Sequence, residues 1–416
     1  MMENNRVAIT GLGPISPIGL GVNAFRIAWH MECAGVHPFR LFDASALPVR
    51  FGGEIEEFDA HDFVDRKDRK QLKLMVRTIQ LAVAAARVAR DDAALTTEAI
   101  APERLGVMMG TGVIPGDPGE LGPAARRCMN ESGDGIDLIR WGRDGLEAIP
   151  PMWMLNHVPN MPACHVAILH NARGPNNTLI QYDAAALFAI IEARRTIQRG
   201  AADAVLAGGT DTRTNITSIS RCLLFSEMSR RNDEPQRASR PFQRDRDGHV
   251  VAEGAGIVLL ENAHHARRRG ARVYAELVGT GMAFGSNGLA RAIRMAMDEA
   301  GITPADVDHV NAAADGRADD IQEAQTIRDL LGDVPVLAFK SVVGNLGNGA
   351  SGLELIASLV ALDAGLMPAS RNADTPDPAC AVNLCREPRR VDRPCVIKLA
   401  RTDRGQYAVV VIRREV

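Results

Sequence analysis

The chain is expected to fold as α/β layers, with helices laid over buried sheets, and three observations carry that expectation. Short apolar runs that exit into glycine alternate with longer segments of helical apolar spacing along the length. Runs such as Val7–Thr10 (VAIT) and Ala204–Gly209 (AVLAGG) lack the polar alternation of a half-exposed strand, as strands covered on both faces do. The 416 residues are 46% hydrophobic but only 4% aromatic, so Val, Ile, Leu, Ala and Met must fill most of the core. That length suffices for one large core or two fused halves.

Val7–Thr10 opens the chain as a strand, with Gly11, Leu12 and Gly13 as its exit. Gln71–Ala89 has helical spacing, and its alanines suit close packing. Leu105–Thr111 is a strand, and Thr178–Gln181 is a shorter one leading into a helix over Asp183–Arg199. Ala204–Gly209 is the next strand, Pro241–Glu253 a charged turn, and Gly254–Glu261 the strand after it. The charged run His264–Gly270 fits a surface crossing, so the chain is expected to divide into halves 1–256 and 257–416. The second half should carry strands over Arg272–Val278, Val307–Asn311 and Val336–Lys340, with helices over Ala290–Ala300, Gln322–Leu330 and Ala350–Leu362. Cys395–Ala400 and Tyr407–Arg413 read as paired closing strands.

Composition excludes several classes of function. Formal charge is −3, with acids and bases mixed and no basic stripe carrying aromatics, so nucleic acid is not an expected partner. Apolar runs break too soon to cross a bilayer, and MMENNRVAITGLG lacks the pattern of a signal peptide; a cytoplasmic protein with no membrane partner is expected. The seven cysteines contain no CxxC pair and read as small buried hydrophobes in a reducing compartment, without structural zinc. His157, His165 and His170 do not have the spacing of a metal motif, and His264 and His265 sit in the charged run, so no metal is expected. GLGPISPIGLG is not GxGxxG, and its prolines oppose a helix start, so no nucleotide cofactor is expected either.

Five blocks, in order, resemble the condensing-enzyme family, specifically the elongating β-ketoacyl-acyl-carrier-protein synthases. They are VAITGLGPISPIG (7–19), RGPNNTLIQYDAAALFAIIEARRTIQRGAADAVLAGGTD (173–211), PFQRDRDGHVVAEGAG (241–256), DHVNAAADGR (308–317) and KSVVGNLGNGASG (340–352). The resemblance spans essentially the whole chain. It implies a thiolase-like fold, two similar α/β halves in a five-layer arrangement, and a dimer built across the strand before the nucleophile helix.

In that family a cysteine receives the acyl chain from the phosphopantetheine arm of a carrier protein, and two histidines assist decarboxylation of a malonyl unit. Carried onto this sequence, the cysteine falls on Asp183, the first histidine on Ala313 and the second on Asn345. The lysine and the acid of two further blocks are kept as Lys340 and Glu253, which the resemblance pairs as an internal brace. The family's GFGG loop corresponds to ARTDRGQY (400–407), so that feature is degraded as well. Apart from any remaining chemistry, Asp183 at a helix start is expected to cap free backbone amides. His249 has no evident chemistry.

A reactive set replaced in a retained scaffold resembles the chain length factor, or ketosynthase beta subunit, of type II polyketide synthases. That subfamily commonly has glutamine for the nucleophile, from which Asp183 departs. The implied function is a noncatalytic or weakly catalytic partner that shapes the acyl channel and product length. Its implied partners are an active Cys-His-His ketosynthase, in a heterodimer, and an acyl-carrier protein. No cofactor is implied as permanently bound; phosphopantetheine would enter only with the carrier protein. Trp141, Met152, Trp153 and Met154 concentrate bulk in the excursion 137–170 and are the channel or interface candidates. Two other readings stand beside it: an enzyme with altered acyl-thioester chemistry (decarboxylation, hydrolysis or acyl transfer), and a scaffold binding acyl-carrier protein or lipid.

Overall fold

A computed structural model describes residues 6–414. The polar start of the chain, on which the signal-peptide reading partly rests, lies outside the described residues, as do both outer ends of the expected halves. The strands that build the halves are β1 (Val7–Ser16), β2 (Leu105–Gly110), β3 (Asn176–Leu179), β4 (Ala204–Thr212), β5 (Glu253–Asn262), β6 (Ala275–Phe284), β7 (Val307–Asn311), β8 (Pro335–Leu337), β9 (Cys395–Arg401) and β10 (Gln406–Arg413). The order across the sheet is β8-β7-β9-β10-β6-β1-β5-β4-β2-β3, with the short strand Asn383–Leu384 beyond β8. Read outward from the centre, each half therefore runs first, fifth, fourth, second, third. The pairing senses match too: β1/β5 and β6/β10 are antiparallel, β2/β4 and β7/β9 parallel. The halves join where β1 and β6 pair at Ala8↔Glu276 and Ile9↔Ala275.

The helices complete five layers. On the outer faces lie α1 (Arg77–Asp92) and α2 (Met161–His170) in the first half, and α5 (Gly288–Ala300) and α6 (Asp320–Leu331) in the second. Between the sheets lie α3 (Ala185–Gln198) and α7 (Ala350–Ala364), while α4 (Ile216–Phe225) follows β4 at the edge. In α7 every residue from Ala350 to Leu362 is buried, as a helix covered on all sides must be. This is the thiolase-like architecture that the resemblance implies.

The repeat extends to individual contacts. A Cβ on Gly11 or Gly13 of β1 would strike the carbonyls of Ala89 or Ala85 in α1, and one on Gly279 or Gly281 of β6 would strike those of Ala296 or Ala292 in α5. Glycine on the strand and alanine on the helix bring the two backbones together in both halves, which explains the alanine content of both segments.

Four expectations shift. The division expected at 256/257 cuts β5, whose residues pair with β1 and β4; the change of half falls between Asn262 and Ala275. The strand expected over Val336–Lys340 stops at Leu337, and Lys340–Val343 turns into a short helix. The strand expected at Arg272 begins at Ala275 and runs on to Phe284. The charged run 264–270 is not purely surface: His265 and Arg269 bind the buried Glu261, whose carboxylate also accepts from Thr10. Among the described residues no helix is long and apolar enough to cross a membrane. All seven cysteines are free; Cys128, Cys380, Cys385 and Cys395 are buried, whereas Cys33 is exposed and Cys164 and Cys222 are half-buried.

Candidate functional site: the Asp183 cavity

A cavity of about 380 Å³ opens where β4 ends and α3 begins, lined by Asp183, Arg213, Asn345, Asp315, Arg317 and His249 among others. Asp183 reaches it through a one-turn 3-10 segment, Tyr182–Ala184, that precedes α3. Tyr182 sits at φ 47°, a left-handed conformation costly for an aromatic residue, and Arg404 lies over its ring at 5.9 Å.

The expected helix cap is not formed. Ala184 occupies the N-cap of α3 without a side-chain hydrogen bond, and the Asp183 carboxylate turns to side chains instead. Arg213 Nη2 donates to Oδ1 at 2.7 Å and Asn345 Nδ2 donates to Oδ2 at 2.8 Å. Burial alone would raise the Asp183 pKa, but the charges of Arg213, Lys340 and Arg317, with the Asn345 hydrogen bond, bring it down to about 2. The residue is a fixed anion. Arg213 is held in turn by Asp211, whose Oδ2 also accepts from the backbone and side-chain amides of Asn348.

Strand alternation explains this set. On β4, Val205 and Ala207 face the central core and Ala204 and Leu206 the outer one. Continuing that alternation puts Asp211 and Arg213 on the central side. This Asp-x-Arg at the strand end belongs to no motif, although alternation from AVLAGG points both side chains at the α3 start.

The three positions that the resemblance matches to the reactive set do not all meet. Asp183 and Asn345 are hydrogen bonded, but Ala313 does not line the cavity: its N–H donates to Glu323 and its carbonyl accepts from Lys340 Nζ at 2.8 Å. From the same segment, Asp315 and Arg317 reach the cavity. Asp315 Oδ2 accepts from Asn345 Nδ2 at 3.0 Å, and Arg317 Nε donates to Asp315 at 2.9 Å. His249 is buried in the wall, its Nδ1 2.7 Å from the Glu227 carbonyl, and burial lowers its pKa. Thr402, Asp403 and Arg404, from the stretch matched to the family's glycine-rich loop, form another part of the wall.

The expected Lys340–Glu253 brace is absent. Glu253 lies on β5 in phase with Ala255, Ile257 and Leu259, which face the outer core, and its carboxylate is clamped by Arg77 of α1 at 2.7 Å. Lys340 points to the middle layer and meets Glu354 of α7 at 2.7 Å. Glu354 also holds Lys398 at 2.5 Å. Burial pushes Lys398 down to about 8 against the pull of Glu354, whereas Lys340 is raised, because Glu354, Asp315 and Asp183 outweigh its burial.

None of Trp141, Met152, Trp153 and Met154 lines the Asp183 cavity. Met152 and Met154 are exposed, while Trp141 and Trp153 are half-buried. Trp153 donates its indole N–H to Glu120 at 3.1 Å and packs against His157. Among the described residues the carboxylates of Asp315, Asp319 and Asp320 come close enough together to hold a metal ion. Arg317 already pairs with Asp315, and Arg401 with Asp319, Asp320 and Glu323, so guanidinium groups supply the countercharge there.

The comparisons agree with this architecture. Residues 4–266 match the family described as beta-ketoacyl synthase, N-terminal domain, and residues 274–374 its C-terminal domain. A 3-oxoacyl-[acyl-carrier-protein] synthase 2 from Synechocystis sp. is 35% identical over 397 residues, covering 91% of this chain and 90% of that protein. Its counterpart from Vibrio cholerae is 32% identical over 405 residues, covering 92% of each. The chain belongs to the β-ketoacyl synthase family. Among solved structures it is similar to the ishigamide ketosynthase/chain length factor, at TM-score 0.87 and 27% identity, covering 99% of this chain and 100% of that one. It is also similar to AntDE:AntF, a type II polyketide acyl-carrier protein in complex with its ketosynthase, at TM-score 0.85 and 26% identity, again covering 99% and 100%.

Proposed function

We propose that this chain is the non-condensing partner of an active ketosynthase, working with an acyl-carrier protein in polyketide or fatty-acid-type biosynthesis. One observation carries the reading: at the helix start where acyl transfer needs a thiolate, an ionised carboxylate is tied to Arg213 and Asn345. An acyl group on Asp183 would be a mixed anhydride, less stable than the thioester it came from. Asn345 cannot replace an imidazole as donor to a substrate carbonyl, because Nδ2 has two hydrogens and Asp183 and Asp315 accept both. Ala313 offers no side-chain donor at all. The same facts disfavour altered thioester chemistry built on these positions, since Asp183 and Asn345 are already committed to each other, to Arg213 and to Asp315.

The partner half of the reading is supported by the surface. Leu138, Ile139, Leu146, Met152, Met154 and Ile168 are all exposed on the excursion and helix that precede β3, an accumulation of apolar area typical of a covered face. The structural similarity to a ketosynthase/chain length factor fits such a pairing. In this role the chain walls part of the acyl channel, and its bulk sets how far a product grows before the space is full.

The test uses purified chain, acyl- and malonyl-loaded carrier protein, and a Cys-His-His ketosynthase from the same source. The chain alone should give no condensation, and Asp183→Ala should leave the rate of the pair unchanged. Turnover by the chain alone that disappears in Asp183→Ala would replace the partner reading with an enzymatic one.

A further inference from the structure

The polar atoms that the Asp183 cavity leaves open to a ligand are of one kind. Three acids are buried or half-buried in its wall, and each of their oxygens already accepts a hydrogen bond. Asp183 accepts from Arg213 on Oδ1 and from Asn345 on Oδ2. Asp211 accepts from the Thr212 amide on Oδ1 and from Arg213 and Asn348 on Oδ2. Asp315 accepts from Arg317 on both oxygens and from Asn345 on Oδ2. Two further acceptors in this wall lack partners, His249 Nε2 and Asn348 Oδ1, but both are sealed from solvent and out of a ligand's reach.

The donors are not used up. Arg213 commits Nη2 to Asp183 and Nε to Asp211, and Arg317 commits Nε to Asp315. Arg213 Nη1 and both Nη atoms of Arg317 make no hydrogen bond among the described residues, yet none of the three is sealed from solvent. The two side chains line the cavity and are 17% and 15% exposed, so their free N–H groups reach water from within it. Arg221, exposed at the same cavity, has no ion pair or hydrogen bond among the described residues. Asp403, also exposed there, lies 3.8 Å from Arg404.

Arg317 offers more than charge. Its Nη1 and Nη2 form a planar fork that can donate to two oxygens of one group at once, the geometry of carboxylate recognition. Asp315 holds the guanidinium through Nε and so fixes the direction of the fork. Apolar side chains share the cavity: Val113, Ile180, Tyr182 and Phe225 line it and are exposed. A volume of about 380 Å³ is in the range of small-molecule sites. We propose that the Asp183 cavity binds a free carboxylic acid on an apolar chain. The acid is held as its carboxylate by the Arg317 fork, and the chain lies on the apolar residues of the same wall. Arg213 Nη1 and Arg221 add positive charge that a neutral head group cannot use. The inference goes beyond the partner reading and does not depend on it, since every group it uses belongs to this chain.

The test compares octanoate with octanamide, which has the same chain and nearly the same shape but no charge, by calorimetric titration of the full chain at neutral pH. Octanoate should bind the wild-type chain at least about tenfold more tightly than octanamide. Arg317→Gln should bring octanoate down to the affinity of octanamide and leave octanamide itself unchanged. That substitution strands Asp315, so the double variant Asp315→Asn with Arg317→Gln carries the comparison if the single one fails to fold. Phe225→Ala should weaken both probes alike. Equal affinities in the wild type, no binding of either probe, or a preference for octanoate that survives the loss of Arg317 would each overturn the proposal. Displacement of octanoate by an equal concentration of inorganic phosphate would overturn it too, by assigning the site to phosphate. Condensation is not read in any of these titrations, so their failure leaves the non-condensing reading where it stands.

Discussion

The two halves share one strand order and one manner of packing sheet on helix, yet their central helices begin in different surroundings, and the Asp183 cavity opens at the start of the first. In the second half the central helix α7 is buried almost from end to end, and its acid, Glu354, is enclosed between Lys340 and Lys398. In the first half the equivalent helix α3 starts at a strained turn on an open cavity, where its acid, Asp183, meets Arg213. The long excursions after β2 and β4 belong to the first half and supply part of the wall of the Asp183 cavity, and the second half supplies the rest through Asp315, Arg317, Asn345 and Thr402–Arg404. A duplicated scaffold therefore becomes asymmetric through what is inserted between its strands. A carboxylate paired with a cation is thus sealed in the core of one half and borders a cavity in the other.

That difference should be largest in stability. Glu354→Ala strands two buried ammonium groups and should cost about 3–5 kcal/mol, enough to prevent folding at ordinary temperature. Urea unfolding measures it. Asp183→Ala leaves Arg213 its second partner, Asp211, beside a cavity open to water, so about 1–2 kcal/mol is expected. Equal costs for the two would erase the distinction between a sealed and an open centre.

The acid limb of the stability curve sharpens the same contrast. The folded-state pKa of Asp183 is depressed to about 2, so its contribution is fully present above the unfolded value near 4 and is lost as pH falls from there toward 2. The amount is on the order of 2 kcal/mol. In Asp183→Asn this limb should flatten over that window; an unchanged curve would show that the carboxylate is not held as described.

The repeated glycines test the likeness rather than the difference. Gly13→Ala and Gly281→Ala press a methyl group against the carbonyls of Ala85 and Ala292, and each should cost about 1–3 kcal/mol. Thermal melts that differ by more than about twofold in cost would break the equivalence of the halves. The smallest effect should come from the excursion. Met152→Ser and Met154→Ser change exposed side chains and should move the stability of the isolated chain by no more than about 0.5 kcal/mol, while weakening the complex with a ketosynthase. A pull-down of equal yield would remove that face from the interface.

Most of the layered fold was legible in the sequence, because buried strands and alanine-rich helices leave strong local patterns. What was not legible depends on which way a side chain faces. Glu253 and Lys340 both sit in family blocks, and motif position alone suggested that they meet. The phase of β5 turns Glu253 outward to Arg77, and the true partner of Lys340 was an unremarked Glu354 inside an apolar helix. Asp183 lies in the turn just before α3, and it does not cap the helix because Arg213 and Asn345, distant in sequence, compete for the carboxylate. Ala313 carries no side-chain donor, and the contact from its segment to Asn345 comes from Asp315, two positions on, which no motif marks.

The partner role is tested most directly by the intact mass of the complex isolated under gentle conditions from the native host, with every stoichiometric subunit identified. A one-to-one complex with a ketosynthase that carries the cysteine and both histidines is the predicted result. A pure homodimer of this chain would contradict it.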